Sequence, residues 1–140
     1  MRTALELNDQ LESGYRQLAK VYAAKKDLSS IEKVLQEGIE VTDKIQLRND
    51  LAGFYYGVQR YEDSAAVYEG ILAKNEGNLA AKNNLAMIYA ENIGTPEKLK
   101  AARTLVVDLQ ESESAAFLDT VGWVLYLSLI HISEPTRPLD

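Results

Sequence analysis

The chain is expected to adopt an all-α fold in which antiparallel helix hairpins stack on one another as a solenoid. Three observations lead there. A Leu-Ala-x-x-Tyr pattern recurs along the chain, as Leu18-Ala19…Tyr22, Leu51-Ala52…Tyr55 and Leu85-Ala86…Tyr89, with tyrosines 33 and 34 residues apart. A fourth, weaker copy, Val121-Gly122…Leu125, comes 36 residues later. Short polar links, Lys25-Lys26-Asp27 and Gln59-Arg60, interrupt the amphipathic stretches. A period of this length marks units that cannot bury both faces alone and therefore stack.

Each element is dictated by that pattern. Within Leu-Ala-x-x-Tyr, positions i, i+1 and i+4 share one helix face. The small residue admits a second helix at close range, and the large neighbours fill the groove on either side. The link then reverses the chain and a second amphipathic helix returns, as in Ile31 and Leu35 after Asp27-Leu28, or Ser64 and Tyr68 after Arg60-Tyr61. This predicts helices at 12–25, 28–41, 45–57, 61–73, 78–91, 97–110 and 115–127. Ile93-Gly94-Thr95-Pro96 reads as a small insertion lengthening the third turn. Tyr22, Tyr55 and Tyr89 are expected in the core. Gly53, Gly57, Gly70, Gly77 and Gly94 are expected at helix crowding points and turns.

On these motifs the sequence resembles the tetratricopeptide repeat family. "YEDSAAVYEGIL" (61–72) and "LDTVGWVLY" (118–126) carry the likeness most clearly. The resemblance implies a right-handed superhelix, with repeats at 12–44, 45–78 and 79–114 between partial repeats at 1–11 and 115–126. It departs from the family pattern at the first aromatic position, which holds Tyr15, Arg48, Lys82 and Leu118, and in lacking the proline that usually ends a repeat. Extended backwards, the register reads Thr3 to Asn8 as the end of a second helix whose partner is absent.

Extended forwards, the register demands a turn after Tyr126, but "LSLIHISEPTR" (127–137) stands there instead. This peptide resembles translated read-through of a transposase adapter used in sequencing libraries, so residues 127–140 read as a non-native tail on a fragment of bacterial origin. The helix begun at Ala115 is expected to run on through Ile132, and Pro135 to end regular structure at Glu134.

Composition narrows the function. The net charge of −6 over 140 residues lacks the basic stripe of a nucleic-acid binder. There is no cysteine, which removes disulfides, thiolate metal sites and cysteine nucleophiles, and leaves the compartment unread. No run approaches a membrane span. The one histidine, His131, lies in the tail, and no glycine-rich phosphate loop is present. No cofactor or metal is expected, and neither is a catalytic centre.

What the resemblance implies instead is a concave face lined by first helices that holds a protein or peptide ligand. Carried over position by position, that face comprises Arg16, Lys20, Asn49, Tyr56, Asn83, Met87, Asp119 and Trp123. Asn49, Asn83 and Asp119 share one register position, where an amide both donates to and accepts from a peptide backbone. Plain solvated helix polarity is the alternative reading of the same amides. Arg16 and Lys20 would favour acidic segments, although Asp50 and Ala80 depart from the pattern by which the family clamps acidic tails. The expected function is a non-enzymatic interaction scaffold, in the bacterial cytoplasm or in envelope or exopolysaccharide assembly. A regulatory arm of a larger enzyme is the alternative.

Overall fold

A computed structural model describes residues 3–133 of the chain. These residues form seven α-helices: α1 (Ala4–Ala24), α2 (Leu28–Thr42), α3 (Ile45–Gly57), α4 (Tyr61–Lys74), α5 (Leu79–Met87), α6 (Pro96–Val106) and α7 (Ala115–Ser133). A π-helical turn, Ile88–Ile93, extends α5, and a 3₁₀ turn, Val107–Leu109, extends α6. No strand occurs among the described residues. The chain divides into two compact units, Met1–Val67 and Tyr68–Asp140.

In the first unit α1 packs on α2 and α2 on α3. Its core gathers Ala19, Ile31, Val34, Leu35, Leu47, Leu51 and Tyr55, with Tyr15, Tyr22, Ile39, Phe54 and Val67 packed around them. The helices approach tightly at Gly38 of α2. A Cβ there would stand 2.9 Å from Tyr15 Cγ and 3.0 Å from Leu47 Cδ1, so glycine is required for α2 to sit against both neighbours. Ala52 is fully buried, and Ser64 of α4 donates its hydroxyl to the Ala52 carbonyl at 2.8 Å. In the second unit α5 packs on α6 and α6 on α7, over Leu85, Ala86, Leu99, Ala102, Val106, Leu109 and Val124.

The helix boundaries match the expected ones closely, with two differences. The first helix begins at Ala4 instead of residue 12, and no break separates its opening turns from the rest. Thr3 and Glu6 form a reciprocal capping box, each side chain accepting from the other's backbone N–H. The added turns are held in place by Asn8, which donates to the Thr42 carbonyl at 3.3 Å, and by Asp9, paired with Lys44 at 2.6 Å.

The second difference is in the third hairpin. At the first turn, Asp27 N–H reaches the Tyr22 carbonyl and Lys26 N–H the Ala23 carbonyl, with Lys26 left-handed at φ 58°. At the second, Arg60 reaches Tyr55 and Gln59 reaches Tyr56, with Gln59 at φ 63°. Both are the same helix-ending motif, in which a left-handed residue lets two amides satisfy the last carbonyls. Asp27 then caps α2 five residues after Tyr22, but Thr95 caps α6 six residues after Tyr89. The extra residue is absorbed by widening the helix into the π turn, which ends at Gly94 (φ 67°).

Glycine placement corrects one sequence reading. Gly53, Gly57 and Gly70 face open space, where a Cβ would meet nothing within 4 Å. Gly94 is a turn residue as expected, but the crowded glycine is Gly38.

The helix of the tail also runs as expected, since α7 continues to Ser133; the stop at Glu134 falls outside the described residues. Ser128 is buried and returns its hydroxyl to the Val124 carbonyl at 2.8 Å.

Candidate functional site

Of the eight positions expected on the binding face, three meet in one groove. Arg16 and Lys20 of α1 and Asn49 of α3 line a 430 Å³ groove with Ala19, Ala23, Ile31, Leu35, Asp50, Gly53 and Phe54. Helical spacing accounts for the geometry. Residues 16, 19, 20 and 23 fall on one side of α1, and 49, 50, 53 and 54 do the same on α3. The small residues Ala19, Ala23 and Gly53 keep the space between the two helices open. Ile31 and Leu35 of α2 form its apolar floor.

The polar rim is more nearly neutral than the sequence suggests. Arg16 is engaged by Asp50, through Nε–Oδ2 at 2.6 Å and Nη2–Oδ1 at 3.4 Å. That carboxylate holds the Arg16 guanidinium above its ordinary range, through the hydrogen bond first and its charge second. The pairing corrects the expectation that Arg16 adds attraction for acidic segments: one charge of each sign sits there. Arg16 as a binding cation and Asp50 as a departure from the clamp pattern turn out to be one ion pair. Lys20 is exposed and makes no ion pair among the described residues. Asn49 is half-buried, and its amide makes no hydrogen bond among the described residues. Its donor and acceptor are both free to meet a ligand backbone.

The remaining expected positions lie elsewhere. Tyr56 is exposed and packs edge-on against Tyr61, with ring centroids 5.3 Å apart. The second unit carries Asn83, Met87, Asp119 and Trp123. Asn83 donates to Asn84 Oδ1 at 3.3 Å, while its own Oδ1 is buried without a partner. Met87 is half-buried and Asp119 exposed. Trp123, also exposed, stacks on Tyr126 at 5.5 Å.

Two of the motif tyrosines, Tyr55 and Tyr89, are structural, and each is tied to the preceding even-numbered helix. Tyr55 donates to Glu32 Oε1 at 2.8 Å and accepts from Gln36 at 3.2 Å. Tyr89 donates to Glu69, the residue 33 positions after Gln36. Burial foremost, then the adjacent carboxylate, raises the pKa of both phenols. A cation covers each ring, Arg60 over Tyr55 and Lys98 over Tyr89, both at 4.5 Å. Tyr22 is only half-buried.

Among the described residues no group of acidic or histidine side chains could hold a metal ion, and no helix is long and apolar enough to cross a membrane. No family model, no curated protein and no solved structure matches this chain.

Proposed function

We propose that the chain is a non-enzymatic scaffold of tetratricopeptide type, a right-handed solenoid that holds an extended peptide of a partner protein. The observation that carries this reading is the α1–α3 groove, with an apolar floor at Ile31 and Leu35 and the unengaged Asn49 amide on its rim. An extended peptide presents an amide donor and acceptor at each residue, and one asparagine satisfies both at once. Alternating side chains of the ligand would enter the space left by Ala19, Ala23 and Gly53. Because Asp50 already neutralises Arg16, selectivity for acidic segments rests on Lys20 alone.

Peptides selected against the full chain provide the test. Asn49→Ala should weaken a captured peptide by about 2- to 10-fold, the loss of about one net hydrogen bond, with an unchanged circular dichroism spectrum. Lys20→Ala should reduce the salt dependence of binding, whereas Asn49→Ala should leave it alone. Equal affinity for wild type and Asn49→Ala would move the binding site out of this groove.

A further inference from the structure

Arg16 stands on the α1 wall of the groove and Asn49 on the α3 wall, at the same register position 33 residues apart. Asn49 makes no hydrogen bond among the described residues. Arg16 has only one edge engaged. Asp50 takes Nε and Nη2, so it meets the guanidinium from the side. A guanidinium has five N–H groups, and the other three, two on Nη1 and one on Nη2, stay open. Glu12, one turn earlier on α1, acts on Arg16 through charge and makes no hydrogen bond to it. The Arg16 side chain is 40% exposed and lines the groove, so its open edge is within reach of a bound chain.

Charge and geometry separate at this pair. Asp50 offsets the charge of Arg16 and fixes the plane of its guanidinium without using up its donors. A second carboxylate brought to that guanidinium would meet Asp50 as a like charge. A peptide carbonyl is an uncharged acceptor and meets no such repulsion. Position 50 is also where the chain departs from its own repeat. One period to either side the residue is an amide, Gln17 before it and Asn84 after it.

We propose that Asp50 is a positioning residue that turns Arg16 from a reader of acidic side chains into a donor to the backbone carbonyls of an extended, uncharged peptide segment. This rests on the α1–α3 groove as the peptide site, and it adds Arg16 to Asn49 as a second contact to the ligand backbone. The groove then carries a built-in choice of ligand. Segments without acidic residues are favoured where they cross the Arg16–Asp50 pair, and an acidic residue is accommodated only towards Lys20, one turn further along α1.

The test uses the full chain and a peptide selected against it, with a glutamate scan and an amide-to-ester scan of that peptide read by fluorescence anisotropy. Asp50→Asn gives position 50 the side chain that stands one period on, at Asn84, and urea unfolding checks that the helices are intact. Against this variant one position of the glutamate scan should gain about 3- to 5-fold over wild type, with a steeper salt dependence. Asp50→Glu keeps the charge and should show neither change. The double variant Arg16→Met/Asp50→Asn removes the donors and leaves no unpaired carboxylate. It should weaken the selected peptide about 3- to 10-fold, and at least one ester that weakens binding to the wild type should be silent against it. A glutamate scan that reads the same for wild type and Asp50→Asn would overturn the proposal. So would an ester scan that reads the same for wild type and the double variant. In either case a loss with Asn49→Ala would leave the groove itself standing. A silent Asn49→Ala would bring down the groove and this role of Asp50 together.

Discussion

Helices α1 and α3 carry the same pattern one repeat apart, yet the two stripes have different fates. Leu51 is 6% exposed and Leu18 is 41% exposed. Tyr55 is buried and doubly hydrogen-bonded, while Tyr22 is half-buried. Sequence pattern decides which face of a helix is apolar; the presence of a preceding even-numbered helix decides whether that face is covered. The energetic difference between the two stripes therefore comes from packing.

The largest expected effect breaks this comparison at its leucines. Leu51→Ala removes a fully packed side chain and should cost about 2–5 kcal/mol in urea unfolding. Leu18→Ala, at the matching position, should stay within about 1 kcal/mol. Equal costs at the two sites would mean that the α1 face is covered in solution.

Overpacking comes next. Ala52 and Ala86 are both 0% exposed, and Ala52 has Ser64 on its carbonyl. Ala52→Leu and Ala86→Leu should each cost about 1–3 kcal/mol. Ala19→Leu should cost less, because Ala19 borders the open α1–α3 groove and a larger side chain has somewhere to go. A neutral Ala52→Leu would show that the motif's small residue does not mark a close helix approach.

Glycines sharpen the contrast by changing its sign. Gly38→Ala drives a methyl group into Tyr15 and Leu47 and should destabilise by about 1 kcal/mol or more. Gly53→Ala meets open space inside a helix and should stabilise by about 0.5–1 kcal/mol. Thermal or urea unfolding of the pair reads both directions against one reference.

Much of this architecture is legible from residues alone. The helices and their turns are given by the recurrent Leu-Ala-x-x-Tyr motif, because a periodic apolar face is a local property of the chain. The start of α1 is legible too, through the Thr3-x-x-Glu6 capping box, a local signal that conflicts with the repeat register extended backwards and prevails over it. What periodicity does not carry is pairwise geometry. That Gly38, and not Gly53 or Gly70, is the crowded glycine depends on where α2 crosses two other helices. The π turn is of the same kind: the sequence shows an inserted residue near Gly94, but not whether the loop or the helix takes it up. At the groove, Arg16, Lys20 and Asn49 are placed by register. The Arg16–Asp50 pair links residues 34 apart, one period, and is readable in principle as opposite charges on adjacent first helices.

The smallest expected effect separates the two tyrosines by their hydroxyls. Tyr55→Phe removes the bonds to Glu32 and Gln36 and should cost about 0.5–1.5 kcal/mol at neutral pH, whereas Tyr22→Phe should be close to neutral. Acid distinguishes this from a packing effect. The side chains of Arg60 and then Tyr55, both hydrogen-bonded to Glu32, hold its carboxyl below the ordinary glutamate range. A depressed folded-state pKa contributes stability that is complete above the unfolded value, near about 4.3, and is lost as the pH falls through the folded value. The gap between wild type and Tyr55→Phe should therefore be full at pH 6 and narrow steadily below about pH 4. Glu32→Gln, which keeps an acceptor but no charge, should flatten that dependence. A gap that stays constant down to acid pH would assign the contribution of Tyr55 to its ring, packed under Arg60 at 4.5 Å, and remove the hydroxyl from the comparison with Tyr22.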